Sequence, residues 1–363
     1  MRITCLELRQ FRNYEEAVLH PCEGVTVLYG NNAQGKTALL EAIVLSCTGR
    51  SHRTSRDKEL IRWGQEAGRV FVQAEKRDGS HEVEMLLSTM RRKTVKVNGS
   101  VLQRTGELMG HVNGVLFAPE DLRMVKDGPA ERRRFIDMEL SQIKPSYYYA
   151  LQHYAHALMQ RNKLLRDIPM KPALSDMLED WDAQLARYGA AIIQARRAFI
   201  ARISESAHEN HLEISVGEED LEARYVPSVD AQDESAQALF KALHVARDVD
   251  IRRGTTSVGP HRDDLMLTLS GMDVRVYGSQ GQQRTTALSL KLAELDIMHR
   301  EIGEWPVLML DDVMSELDPK RRRQLLGRLK DIQTIVTCTD MSDLADAEIG
   351  AAWRIQNGTI VKE

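Results

Sequence analysis

Apolar and polar residues alternate from Ile3 to Leu8, which predicts a strand with one buried face. Val25-Thr-Val-Leu-Tyr29 is instead a short continuous apolar run ending at Gly30, the pattern of a buried strand feeding a loop. From Ala38 to Cys47 the spacing turns helical. Residues 69–103 predict a β-meander. Val70–Ala74 and Val83–Leu87 alternate, and Lys93–Val97 meets Val101-Leu102 across Asn98-Gly99, a two-residue hairpin signal. Val115–Phe117 predicts one more short strand. From Ala130 to about Arg202 glycine is scarce and apolar residues recur every three or four positions. Two or three helices fit there, broken near Pro145 and at Pro169–Pro172. Another helix is predicted near Ala236–Val245. No heptad pattern persists, so this part reads as a compact helical arm and not a long coiled coil. Strand character returns at Asp264–Leu269, and a helix is predicted over Gln282–Arg300. Val307–Leu310 reads as a buried strand, a helix begins at Pro319, and the strand Thr334–Cys338 precedes a hairpin around Asn357-Gly358. The pattern therefore predicts an α/β body split between residues 1–120 and 255–363. An α-helical arm, 121–254, is inserted between the halves.

Composition narrows the class. The 363 residues are 42% hydrophobic and 28% charged, which excludes collagen-like, disordered and disulfide-scaffold proteins. No run of ~18 apolar residues supports a membrane span, and the N-terminus lacks a signal-peptide pattern. Cys5, Cys22, Cys47 and Cys338 are far apart and read as reduced thiols of a cytoplasmic protein. The net charge of −4 argues against a nucleic-acid binder, but its distribution softens that. Between Glu209 and Asp250 there are 11 acidic residues and three basic ones, so the rest of the chain is net positive. A polyanion partner is allowed through a local surface.

Gly30-Asn31-Asn32-Ala33-Gln34-Gly35-Lys36-Thr37 matches G-x-x-x-x-G-K-[ST] between a predicted strand and a predicted helix. Glycines let backbone N–H groups wrap phosphates at a helix N-terminus. Lys36 would reach the β/γ-phosphates of ATP and Thr37 would hold Mg²⁺. The competing reading is a glycine-rich turn with a surface lysine. Val307-Leu-Met-Leu310 delivers Asp311 and Asp312 at a strand end, and adjacent positions on one strand point to opposite sides. Asp311 would serve the metal, and Asp312 would orient or deprotonate an attacking water. Alone, the acid pair also fits a helix N-cap.

The two motifs lie ~270 residues apart, a separation that resembles the ABC-type ATPases of the SMC group, whose head is split by a helical insertion. That resemblance implies a signature motif before Asp311, and Ser279-Gln280-Gly281-Gln282 is similar to it. Such a helix N-terminus with a serine is a second anion site, and the resemblance implies that Ser279, Gly281 and Gln282 close on nucleotide held by a second subunit. The plainer reading of Ser279 is a helix cap. Ser315-Glu316-Leu317-Asp318 matches the D-loop.

Together with Gln10-Phe11-Arg12-Asn13-Tyr14, Gly49–Thr54, Phe117–Leu122 and Gly259–Asp264, these motifs resemble the RecF family of bacterial recombination mediators along nearly the whole chain. The resemblance implies an ABC/SMC-type P-loop ATPase head without the coiled coil. It implies an ATP-dependent homodimer on DNA at single-strand/double-strand junctions or gaps, and help to RecR and RecO in loading RecA. It also implies that Arg12 and Asn13 lie against the nucleotide, that Lys36 and Asp312 are catalytic, and that Thr37 and Asp311 hold the metal. Three departures from the wider ABC pattern point to slow hydrolysis, used as a timer. Asp312 stands for the usual Glu. The switch histidine is absent, with Thr337, Thr339 or Asp340 in its place. The loop glutamine is missing, with Glu120 nearby. Candidate DNA contacts are Arg50–Lys58 and the Arg91–Lys93 strand, with Arg132–Arg134 and Lys320–Arg323 more ambiguous. No aromatic stacking platform is evident. An ABC-type transport ATPase subunit is the alternative, but its Leu-Ser-Gly-Gly-Gln signature, catalytic Glu and switch His are missing.

Overall fold

The computed structural model describes residues 1–215, 217, 219–229, 235–329, 331–344 and 347–362. Glu218, Asp230, Asp233 and Glu234 of the acidic stretch lie outside the described residues, as does the side chain of Glu316. The chain divides into two compact units, 1–121 with 290–363, and 122–289.

The first unit is built on two six-stranded sheets. In one, Ile349–Gln356, Val25–Tyr29, Thr334–Cys338, Val307–Asp311 and Gly114–Phe117 run parallel in that order, and Thr359–Lys362 closes one edge antiparallel. Continuous apolar runs such as Val307–Leu310 suit these strands, because parallel sheets are covered on both faces. The other sheet is antiparallel, ordered Tyr14–Leu19, Arg2–Phe11, Ala67–Lys76, Gly79–Ser88, Thr94–Val97, Ser100–Val101. In the helix Lys36–Thr48 every residue but Thr37 is buried. A helix of that kind needs cover all round. Its Leu39, Leu40 and Ile43 join one core with Leu6, Leu8, Val70 and Val72 of one sheet and Val307, Met309 and Ile335 of the other. Both Asn-Gly hairpins form where expected, with Asn98 and Asn357 at positive φ.

The second unit holds the helices Pro129–Ile143, Pro145–Asp167 and Leu178–Ser215 and a three-stranded sheet, Met272–Asp273, Asp264–Leu269, Leu221–Val226. The 38-residue helix runs past Arg202, where the sequence pattern stops. Its buried positions there are Ile203, Ser206, Ala207, Asn210, His211 and Ile214, spaced helically, but the middle of the run is polar and weakens the hydropathy signal. Segment 255–289, which the sequence pattern groups with the body, falls in the second unit. The reason is pairing: Asp264–Leu269 hydrogen-bonds along its whole length to Leu221–Val226, a strand the sequence pattern does not reveal.

Buried ion pairs organise this unit. Arg161 is fully buried between Asp182 and Asp250, and Arg196 pairs with Asp137. Arg132 makes a two-pronged contact to Asp264 at 2.7 and 2.9 Å, and Arg133 donates to the Asp263 carbonyl. The Arg132 guanidinium is buried and committed internally, which sets it apart from an exposed DNA contact, while Arg133 is only half-buried. Tyr147 and Tyr154 are likewise buried, bonded to Asp137 and His261. No helix among the described residues is long and apolar enough to cross a membrane.

Candidate nucleotide-binding site

The strand Val25–Tyr29 ends at a loop whose shape requires glycine at two points. Gly30 has φ +144, and a Cβ there would meet the Ile355 carbonyl at 2.4 Å. Gly35 has φ +118, and a Cβ there would strike the side chains of Asn13 and Tyr14. Ala33 also adopts a left-handed backbone, φ 63, which turns successive N–H groups toward one concave side.

Neighbouring turns brace this loop. Asn13 Nδ2 and the Gly358 amide both donate to the Gln34 carbonyl, at 2.8 and 3.1 Å. Tyr14 Oη donates to the Gly35 carbonyl, and the Asn357 amide to Gln34 Oε1. Lys36 is buried and its Nζ donates to the Gly30 carbonyl at 2.6 Å and the Asn31 carbonyl at 3.2 Å. The ammonium thus sits inside the curve of the loop, held among the described residues by two carbonyls that an anion would displace. A cavity of about 530 Å³ opens beside the loop, lined by Tyr29, Asn31, Gln34, Thr339, Arg354 and Asn357 among others.

A second cluster lies at the helix start. Asp311 Oδ1 accepts from Thr37 Oγ1 at 3.0 Å and from Thr337 Oγ1 at 2.7 Å. Burial pushes the Asp311 carboxyl up; the two hydroxyls oppose that, and the charges of Asp312 and Glu120 add to it. A hydroxyl and a carboxylate converging at a phosphate loop are the oxygen donors Mg²⁺ takes when phosphate and water complete its shell. Among the described residues no group of three or more His, Cys, Asp or Glu could hold a metal ion.

Asp312 corrects a sequence expectation. The apolar run predicts that it continues the strand, with a side chain opposite to that of Asp311. The strand ends at Asp311, and Asp312 has φ 51. Its amide donates to Thr337 Oγ1 at 2.9 Å, so one threonine holds both acids. A non-glycine residue in this region stores strain, which the neighbouring bonds sustain.

The signature segment lies in the second unit and begins the helix Gln280–Ile302. Ser279 Oγ accepts from the Gln282 amide, and Gln282 Oε1 accepts from the Ser279 amide, a reciprocal cap. Gln282 Nε2 donates to Glu219 Oε1 at 2.8 Å, and Glu219 Oε2 lies 3.0 Å from His211 Nε2.

The family model for the RecF/RecN/SMC N-terminal domain matches residues 2–360. A protein of Acetivibrio thermocellus named "DNA replication and repair protein RecF" is 44% identical over 345 residues, covering 94% of each chain. One of the same name from Lachnospira eligens is 42% identical across the full length of both. A solved structure described as the recombination mediator protein RecF-ATPrS in the RecFOR pathway is 38% identical. It superposes with a TM-score of 0.93 over 99% of this chain and 98% of that one. The chain belongs to the RecF family. An Smc head of Pyrococcus furiosus, 18% identical with a TM-score of 0.58, shares the fold.

In this RecF-family head, Gly30, Asn31, Asn32, Ala33, Gln34, Gly35, Lys36, Thr37, Asp311 and Asp312 gather at one end of the parallel sheet. Arg12 and Asn13 are joined to that group through the loop and its helix. Asn13 bonds to Gln34, while Arg12 bonds to Glu41 on the helix and to the Glu59 carbonyl. Ser279, Gly281 and Gln282 form a separate group in the second unit. Lys93 precedes the strand Thr94–Val97 instead of lying in it, and its Nζ is bonded to the Gly49 carbonyl and Asp57. It therefore leaves the DNA candidates. Sequence reasoning misses Glu41, Arg354 and Glu219. None lies in a motif; only through-space partners reveal them.

Proposed function

We propose that this chain is an ATP-dependent DNA-binding protein of recombinational and replication-gap repair. ATP closes two copies into a dimer on DNA, and slow hydrolysis times its release. The observation that carries the nucleotide half is the Thr37–Asp311 contact beside a Lys36 bonded to loop carbonyls. The DNA half is supported by relatives named for DNA replication and repair, and by a solved relative described with ATP in the RecFOR pathway.

The residues divide the work. Backbone N–H groups of Gly30–Gly35 receive the phosphates, and Lys36 leaves the Gly30 and Asn31 carbonyls for β/γ-phosphate oxygens. Thr37 and Asp311 would hold Mg²⁺, which when bound neutralises charge on those phosphates. Asp312, freed from the strand direction by its left-handed backbone, orients and deprotonates the attacking water. Arg12 and Asn13 keep the loop in shape against the nucleotide. Ser279, Gly281 and Gln282 of one copy meet the phosphates held by the other, because a capped helix N-terminus is an anion site. On DNA, at junctions or gaps, the closed dimer works with RecR and RecO to load RecA.

Sedimentation of the full chain with and without ATP and gapped DNA, beside ATP turnover, tests this. Dimers that need ATP, retain DNA and turn over slowly are expected. A chain that stays monomeric in ATP and DNA overturns the clamp.

A further inference from the structure

Trp63 is 98% exposed, the most exposed large apolar side chain among the described residues. It does not sit on a loose tail. Gln65 N donates to the Arg62 carbonyl at 3.0 Å and Gly64 has φ +82, a tight turn with Trp63 at its second position. Both feet of the turn are anchored. On one side the Arg62 amide donates to the Gln10 carbonyl, and Ile61 bridges Phe11. On the other, Ala67 pairs with Ser88 and the Thr89 amide donates to the Glu66 carbonyl. A rigid turn that lifts an indole wholly into water forgoes its burial, and such exposure marks a contact surface.

Charges on the segments that anchor the turn say what it contacts. Arg91 and Arg92 follow Thr89, and Lys58 lies on the segment leading into the turn; all three are exposed. Among the described residues none of the three has an ion pair, whereas Arg56, Arg62, Arg69 and Lys93 around them do. An aromatic face flanked by uncommitted cations is the combination that binds nucleic acid, the cations taking phosphates and the ring a base. An indole can stack only on a base with a free face, in a single strand or at a duplex end; inside a continuous duplex every face is taken.

We propose that the Trp63 turn is a base-stacking element: its indole caps an unpaired or terminal DNA base whose flanking phosphates lie on Arg91, Arg92 and Lys58. This rests on the DNA-binding reading above and adds which DNA feature is held.

Affinities of the full chain with ATP, for a single-stranded oligonucleotide and for a covalently closed duplex circle, test it by fluorescence anisotropy and gel retention. Trp63→Ala should weaken single-strand binding roughly 5- to 150-fold at unchanged salt slope, the worth of one stacked base. Binding to the closed circle should not change, and Trp63→Phe should recover most of the loss. Replacing Arg91 and Arg92 by Ala should lower the single-strand salt slope by about 0.7 for each phosphate no longer neutralised. Unchanged single-strand affinity in Trp63→Ala, or an equal loss on the closed circle, overturns the stacking role. So does normal DNA binding combined with lost binding of purified RecR or RecO. If the wild-type chain binds neither DNA, the DNA-binding reading itself fails and this inference falls with it.

Discussion

Arg12 and Glu41 are locked together by two hydrogen bonds, Nε to Oε2 at 2.8 Å and Nη2 to Oε1 at 2.6 Å. Arg12 lies in the turn between two antiparallel strands and has φ 53, while Glu41 is wholly buried in the phosphate-loop helix. The pair ties the turn that braces Gln34 and Gly35 to the helix those residues lead into.

Removing Arg12 should therefore cost stability more than a surface arginine would. Arg12→Ala leaves a buried carboxylate with only Ser51 and the more distant Arg53. Breaking a buried pair from one side costs about 3–5 kcal/mol, and the remaining partners put the expected loss at the low end. Urea unfolding should show it, and Arg12→Ala with Glu41→Gln should recover part of the loss.

The same carboxylate should make stability acid-sensitive. Burial pushes the Glu41 carboxyl up, but hydrogen bonds from Arg12 and Ser51, with the charges of Arg12 and Arg53, outweigh that and leave it below its ordinary 4.5. A folded-state pKa below the unfolded one contributes stability that is complete above the ordinary value and is lost as pH falls through the lowered one. Stability measured from pH 7 down to about 3 should fall less steeply in Glu41→Gln than in the wild type. Equal slopes would mean Glu41 is not among the groups that titrate on unfolding.

Lys36→Ala should weaken ATP binding by roughly 10- to 150-fold, since a hydrogen bond to a charged group contributes ~1.5–3 kcal/mol. Calorimetric titration reads this directly. Normal affinity would mean that the loop is not where ATP binds.

Asp312→Asn should keep ATP binding but lower turnover by ~10²–10⁴-fold, the usual effect of a lost acid/base. Its ATP-bound dimer should last longer. Asp311→Asn should instead make binding less dependent on Mg²⁺ concentration, because Asp311 is the carboxylate against Thr37. Wild-type turnover in Asp312→Asn would reduce Asp312 to a loop residue.

Glu219 holds Gln282 of the signature segment, so Glu219→Ala should loosen that cap. A monomer should still bind ATP, and ATP-dependent dimers should weaken. Ser279→Arg should abolish them outright by blocking closure. Glu219→Gln keeps an acceptor for Gln282 Nε2 and should behave nearly as wild type. Dimers of normal strength in both Glu219→Ala and Ser279→Arg would count against closure through this segment.

Features that depend on neighbours in sequence were legible in the sequence. The phosphate loop with its strand and helix, both Asn-Gly hairpins and the acid-ended strand rest on turn chemistry and periodicity within a few residues. What a charge is for was not legible. Arg132 and Arg91 look alike as basic residues, yet Arg132 faces Asp264 from 132 positions away and Arg91 faces solvent. Asp311 meets Thr37 across 274 positions, and Glu41 meets Arg12 across 29. The placement of 255–289 turned on pairing with Leu221–Val226, a half-exposed strand that lies within the acidic stretch. Local periodicity is written in the order of residues, whereas the work of a polar group is set by the partner that folding brings to it through space.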